Sequence, residues 1–436
     1  MALGGGGFTA QDKGLPGAYI NFVSAASASA ALSDRGIVTM PLELDWGRER
    51  EMFGVSSGEF RECCMELFGY PYTHEKMKGL RDLFLNAQTL YCYRLNGNGA
   101  KASNQYAEAR YGGVRGNDLK IIIQANADDS AMFDVKTMLG ASVVDEQKVA
   151  GAGGLADNKY VKWKAGAELE PTAAAPLEGG TNGEVEGEAY QAYLDAAEGY
   201  SFNIMGTVVG DSTTKALFAS FVKRMRDEVG IKFQLVLHGY AKADYCGTVS
   251  VKNSTKDVGW GAGSLVYWAA GALAGCEVNR SCQNRVYDGE FSVDASYTQG
   301  ELRKAIAAGE FVLHKVGTDV RVLKDINTMA TATDTQGEAF KENQTIRVME
   351  QIGNDIAVLF NTKYLGAVPN NAAGRVSLWS DIVAHHRELE QVQAIEGFSD
   401  GDVVVQQGST KKSVVVADAV TVVNAMDKLY MVCTIS

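Results

Sequence analysis

A chain of 436 residues, 46% hydrophobic and 22% charged, is globular in composition and too long for one ordinary core, so two to four domains are expected. A net charge of −12 excludes a dominant nucleic-acid surface, which needs concentrated Lys and Arg, and leaves room only for a local basic patch. Seven scattered cysteines, with no CxxC pair and no His at ligand spacing, read as reduced, packed thiols of a cytosolic setting and speak against a metal.

The chain opens with Gly4 to Gly7, followed by "KGLPGAYINFV" at Lys13 to Val23. A free terminus has little tertiary support, so this apolar run docks either on its own domain or on another chain. Pro16 cannot donate to a ladder, so a strand here begins at or after it. "RGIVTMPLELDWG" predicts a strand ending in a turn at Trp46-Gly47. "SSGEFRECCMELFG" predicts one helix with a Ser cap, Glu59 in its first turn and Gly69 as its stop. A second helix over 76–87 and a strand "TLYCYRL" complete a β-α-α-β unit over 31–97.

From Gly97 to about Gly166, short β-prone runs ("QYAEARY", "LKIIIQAN", "MFDVKTML", "KYVKWK") predict a small all-β module inserted between halves of an α/β domain. "AELEPTAAAPLEGGTNGE" reads as a loop. Helix and strand then alternate from Tyr190, as expected of an α/β sheet covered on both faces. Val258 to Cys276 carries no charge over 19 residues but is too rich in Gly for a membrane span. A buried helix is expected, its small face Gly271-x-x-x-Gly275 admitting a close neighbour. After "DINTMATATDTQG" an α+β unit follows: helices over 339–361 and 377–394, then "DVVVQQ", "KSVVVADAV" and "KLYMVCTI" as strands. With neither a signal pattern at the N-terminus nor a span, the chain is expected in the cytoplasm when made.

The search for chemistry is thin. The five histidines form no HExxH, and GxSxG and P-loop motifs are lacking. "GWGAG" at 259–263 does not match a phosphate fingerprint. His385 and His386 fall on or beside the buried stripe of their helix and read as packed. Glu184, Glu186 and Glu188 read as a solvated loop, since nothing nearby would split their pKa values. The two β-prone ends carry more signal. An extended segment can add to another chain's sheet edge, or both ends can complete sheets of their own chain; pattern alone leaves both open.

Taken in chain order, "QDKGLPGAYINF", "RGIVTMPLELDWG", "ARYGGVRGNDLKI", "PLEGGTNGEVEGEAYQAYLDAAEGYSFN", "VYDGEF", "YTQGELRKAIAAGEFVL", "DINTMAT", "AIEGFSDGDVVV" and "VNAMDKLYMVCTIS" span nearly the whole chain. This set resembles the contractile tail sheath proteins of myophages and of phage-tail-like bacteriocins of Gram-positive bacteria. The resemblance implies a multidomain α/β and α+β chain. A central subtilisin-like α/β domain would carry an inserted small β-sandwich on the outer surface, followed by a C-terminal α+β domain. It divides the chain into an arm 1–30, α/β residues 31–97, a sandwich 98–169, α/β residues 170–330, a tube-facing domain 331–427 and an arm 428–436.

It also implies a subunit that is not an enzyme and needs no cofactor or metal. Six copies would form a ring, and rings would stack helically around an inner tube. The implied partners are other copies, the inner tail tube protein, and baseplate and tail terminator proteins, with no nucleic acid and no membrane insertion. Assembly would occur in the bacterial host cytoplasm. Donated strands map to Leu15, Gly17, Ala18, Tyr19, Ile20, Asn21, Phe22 and Val23 at one end. At the other they map to Lys428, Leu429, Tyr430, Met431, Val432, Cys433, Thr434 and Ile435. The acceptor strands would contain Val403, Val404, Val405, Val414, Val415 and Val416, and Lys363, Arg375 and Arg387 are the tube-facing candidates. The alternative from a different class is a soluble α/β hydrolase-like enzyme.

Overall fold

The computed structural model of the chain describes residues 32–435; the expected N-terminal arm, Leu15 to Val23, lies outside them. The chain divides into two compact units. One holds Thr39–Arg81 and Thr89–Ala197; the other takes the described residues up to Val38, then Asp82–Gln88 and everything from Glu198.

Chain order begins with β1 (Ile37–Leu42), β2 (Met52–Ser56), α1 (Ser57–Glu62), α2 (Cys64–Phe68), α3 (Lys78–Phe84) and β3 (Thr89–Arg94). The cap read from sequence is present: Ser56 and Glu59 form a reciprocal capping box, and Gly69 ends the segment at φ 77°. The single helix expected there is two, because Cys63 leaves helical geometry at φ −109°, ψ 13°. The β-α-α-β reading also missed β2, which pairs antiparallel with β3 from Met52↔Tyr93 to Ser56↔Thr89. Gly54 at its centre and the charged run before it hid that strand.

The inserted module contains β4 (Ala107–Ala109), β5 (Leu119–Ala125), β6 (Phe133–Leu139), β7 (Ser142–Val149), β8 (Val161–Trp163) and β9 (Thr172–Pro176). They form a four-stranded sheet, β7-β6-β5-β9, and a pair, β4-β8, all antiparallel. Alternation builds the core: Ile121, Ile123, Val135, Leu139, Ala107, Ala109 and Val161 are all buried there. The segment read as a loop is in part strand β9. Its Ala run is β-poor, and pairing with β5, with a register shift between Ile121 and Ile123, makes it a strand. Its Pro176 is tolerable on an edge. Where the chain enters and leaves the module, backbones touch. A Cβ on Gly183 would lie 1.8 Å from the Gly97 carbonyl oxygen, and one on Gly99 would lie 1.9 Å from that of Thr181. Trp46 is fully buried, edge-on to Tyr111 at 5.3 Å and stacked on Tyr160 at 6.3 Å. Helix α4 (Gly187–Ala197) closes this unit.

The second unit runs through β10 (Ile204–Gly206), α5 (Ser212–Arg224), β11 (Gln234–His238), β12 (Thr248–Val251), α6 (Leu265–Ala274), α7 (Gln299–Ala307) and β13 (Glu310–Phe311). Strands β10 to β13 pair in parallel in sequence order. Every residue of α6 is buried, and it packs on β10 and β11. Among the described residues no helix is long and apolar enough to cross a membrane. A hairpin, β14 (Leu313–Val316) with β15 (Asp319–Val322), leads to α8 (Asn343–Leu359) and α9 (Ala372–Gln391). Asn371 caps α9 by accepting the Gly374 N–H, which starts that helix five residues before the expected 377. Last come β16 (Ile395–Glu396), β17 (Val403–Gln407), β18 (Val414–Asp418) and β19 (Thr421–Val422), paired antiparallel as β16-β19 and β17-β18.

Candidate assembly interface

The β17-β18 hairpin is the feature on which the sequence placed its acceptor residues. Its register runs from Val403↔Asp418 to Gln407↔Val414, and it is a two-stranded sheet, so each strand has an outer edge with no strand partner among the described residues. Burial divides the six valines, and not by the pleat alone, since Val416 lies opposite Val405 and is still exposed. Val403, Val405 and Val414 pack against Leu359, Tyr364, Leu378, Ile382 and Val383, whereas Val404, Val415 and Val416 are exposed. Two side chains anchor the hairpin: Trp379 Nε1 donates to the Val403 carbonyl at 2.9 Å, and Asn370 Nδ2 donates to the Ser413 carbonyl at 2.8 Å. Exposed edges of this kind are templates for pairing with another chain.

Close by in sequence, the chain is tied down until Asp427. Val423 N–H donates to the Ala394 carbonyl at 3.0 Å, Ala425 N–H to Gln344 Oε1 at 2.9 Å, and Gln283 Nε2 to Asp427 Oδ1 at 2.7 Å. Beyond it, Lys428 to Ile435 joins no helix or strand of its own chain. Leu429, Tyr430, Met431, Val432 and Ile435 are 86%, 87%, 77%, 94% and 92% exposed. The expected terminal strand is therefore not a strand in the single chain, where these residues form no ladder.

The three tube-facing candidates are each engaged inside the chain. Lys363 Nζ donates to Asp381 Oδ2 at 2.6 Å, and that hydrogen bond raises the ammonium pKa above its ordinary value. Arg375 Nη1 donates to Asn370 Oδ1 at 3.1 Å, and Arg387 Nη2 reaches both Asp400 oxygens at 2.7 and 2.8 Å. Such exposed pairs are weak. His385 and His386 are buried, in line with their reading as packed residues. Glu186 faces Arg50 at 3.8 Å across exposed surface. Among the described residues no group of three or more His, Cys, Asp or Glu could hold a metal ion.

The sequence reading missed two buried ion pairs. Arg226 pairs with Glu350, and Arg347 Nη2 reaches Asp325 Oδ2 at 3.3 Å. Burial opposes the Arg347 charge, but Cys276 and Asp325 more than offset it and hold the guanidinium pKa above its usual value. The motif "DINTMAT" is the available signal. Asp325 also accepts from Cys282 N–H at 2.9 Å and Asn343 Nδ2 at 3.0 Å, while Asn327 Nδ2 donates to the Phe340 carbonyl at 2.8 Å. These residues stitch the segment after β15 onto the start of α8.

Comparison with known proteins gives consistent matches along the chain. Family models match as the phage tail sheath protein central domain over 183–328 and the phage tail sheath C-terminal domain over 335–436. The phage tail sheath protein beta-sandwich domain matches over 96–182, and the tail sheath protein Gp18 domain III N-terminal region over 35–95. The solved sheath tail protein of Desulfitobacterium hafniense is 36% identical, with a TM-score of 0.77 over 90% of this chain and 93% of that one. That of Listeria innocua is 30% identical, with a TM-score of 0.80 over 92% and 95%.

The chain belongs to the phage tail sheath family.

The phage-like element PBSX protein XkdK of Bacillus subtilis is 31% identical to this sheath chain, covering 98% of it and 99% of the relative. The fold extends to the contracted helical sheath of the anti-feeding prophage, at 12% identity and a TM-score of 0.57 over 97% of the chain. The sheath chain is a mixed α/β multidomain protein with a β-sandwich, a component of a phage tail or related contractile particle.

Proposed function

We propose that this tail sheath subunit assembles by exchanging strands with its neighbours. Lys428 to Ile435 of one copy adds to an outer edge of the β17-β18 hairpin in another, and Leu15 to Val23 supplies a second strand from a third copy. One observation carries this reading: a run of five large apolar side chains, each more than three-quarters exposed, leaves a chain whose nearby hairpin has open edges. Burying such side chains favours association by roughly 1.5–3 kcal/mol each, while the main-chain ladder fixes register.

Six copies form a ring and rings stack around an inner tail tube, with baseplate and tail terminator proteins at the ends, assembled in the bacterial host cytoplasm. Contraction replaces weak contacts by larger ones and drives the tube through an envelope. Donated strands keep rings connected while the subunits rotate, and the subunit does no catalysis. The working division is 31–97 and 170–330 for a subtilisin-like α/β domain, 98–169 for the sandwich, and 331–427 for the tube-facing domain, between arms 1–30 and 428–436. Lys363, Arg375 and Arg387 face the tube, where weak exposed pairs can be traded during sliding. Electron microscopy of the purified chain tests the reading. Helical tubes or stacked six-fold rings are expected, and a discrete small oligomer with hydrolytic turnover would overturn it.

A further inference from the structure

A continuous chain of polar side chains crosses the interior of the second unit. Ser33, just ahead of β1, donates from its hydroxyl to Asp355 Oδ1 at 2.5 Å and from its N–H to Asp355 Oδ2 at 3.3 Å. Gln351 Nε2 braces both, at 2.8 Å from Ser33 Oγ and 2.7 Å from Asp355 Oδ2. Asp355 Oδ2 lies 3.0 Å from His385 Nε2. The Nδ1 atoms of His385 and His386 then face each other at 3.4 Å, and His386 Nε2 lies 2.9 Å from Asp418 Oδ2 at the end of β18. Both imidazoles are almost completely buried, at 1% and 0% exposure.

Proton counting along this chain is restrictive. An ionised carboxylate only accepts, so both Nε2 atoms must carry hydrogen. A neutral imidazole has one N–H, so two neutral rings would aim bare Nδ1 lone pairs at each other across 3.4 Å. Two imidazolium rings would aim two N–H groups at each other. Only one added proton makes the contact a hydrogen bond, N–H···N, and its charge then sits between the carboxylates of Asp355 and Asp418. Among the described residues neither carboxylate forms an ion pair with Lys or Arg. The other groups nearby are engaged elsewhere. On α9, Glu388 takes the Leu32 N–H at 3.1 Å and Glu390 takes the Phe398 N–H at 2.9 Å. The Phe398 ring lies 5.2 Å from that of His386.

We infer that His385 and His386 share one proton between their Nδ1 atoms, and that this proton ties the root of the N-terminal arm at Ser33 to the acceptor hairpin at Asp418. The tie holds only at a single occupancy: a second proton sets N–H against N–H, and loss of the first sets lone pair against lone pair. The tie is a property of one chain. Only its consequence, that pulling the arm alters the hairpin's readiness to take a strand, rests on the strand-exchange reading.

Selective 15N-histidine labelling and solid-state NMR on the full chain, assembled or not, test it directly, since there are only five histidines. The expected spectrum has two protonated Nε2 signals, and two Nδ1 signals at positions intermediate between bare and protonated nitrogen, correlated with each other. Two bare Nδ1 signals at neutral pH, or a bare Nε2 on either ring, would overturn the shared proton. Hydrogen exchange tests the tie. Ser33→Ala should speed exchange of the Val414–Asp418 amides several-fold in the parent chain and leave it unchanged in an Asp418→Asn background. No acceleration in the parent, or equal acceleration in both, would refute it. Removing residues 428–436 should leave the NMR signature intact while abolishing polymerisation. Continued polymerisation with the signature present would sink strand exchange alone.

Discussion

Alanine at Gly271 should weaken the protein, whereas the same substitution at Gly353 should strengthen it. Both glycines lie inside helices, where Gly→Ala ordinarily gains about 1 kcal/mol. At Gly353 in α8 the new Cβ would meet only Lys232 Cγ, at an ordinary 3.5 Å, so the gain survives. At Gly271 in α6 it would lie 2.2 Å from the Leu83 carbonyl oxygen, and Gly275 faces the Asn86 carbonyl oxygen at 2.1 Å in the same way. Backbone cannot swing aside as a side chain can, so α6 and the 83–86 turn must part by about 1 Å. Overpacking of this kind costs about 1–3 kcal/mol; taking the upper end against the helix gain leaves a net loss of about 2 kcal/mol. In a domain of this size that lowers the melting temperature by roughly 4–8 °C, against a rise of roughly 2–4 °C for Gly353→Ala. Calorimetry of the two variants beside the parent gives the answer. A Gly271→Ala chain that melts at or above the parent would refute the claim that this glycine exists for close approach.

Four further outcomes are expected. Asp325→Asn leaves the Arg347 guanidinium buried without its counter-ion and should cost about 3–5 kcal/mol, read as a lower unfolding midpoint in denaturant. Truncation after Asp427 removes chain that is exposed over 428–435, so the unfolding free energy should stay within about 0.5 kcal/mol of the parent's while polymerisation is lost. Cys433 is exposed and five of the other cysteines are buried, so a thiol reagent should modify Cys433 quickly in free subunits and slowly in assembled tubes. The Cys276 thiol is held below its ordinary value by its hydrogen bond with Cys282, burial opposing and the Arg347 charge assisting. A folded pKa below the unfolded 9.0 means the thiolate's contribution is lost as pH falls through the folded pKa and grows toward pH 9. The melting difference between the parent and Cys276→Ser should widen as pH rises toward 9, and parallel curves would contradict it.

Legibility in the sequence followed how local the determinant is. The Ser56–Glu59 cap, the alternation in β6 and the small face of α6 are each written in a few adjacent residues, and the structure has all three. Strand β9 was not legible, because "TAAAP" gains its strand character from β5, some 50 residues earlier. The break at Cys63 was hidden inside one apolar stripe that serves two short helices. At the candidate interface, the two valine runs were enough to place the hairpin, but not to say that its outer edges stay open. The partners of the buried histidines were beyond reach: Asp355 and Asp418 lie 30 and 32 residues away on other elements. Each would read, on its own, as a solvated charge.

The central claim is that the exposed end of one copy becomes a strand in another. A cryo-electron microscopy map of tubes assembled from the full chain tests it directly. The account predicts that the β17-β18 sheet gains a strand traced as Leu429–Ile435 of a neighbouring copy. A map in which the hairpin remains two-stranded, or in which Leu429–Ile435 folds back onto its own chain, would contradict it.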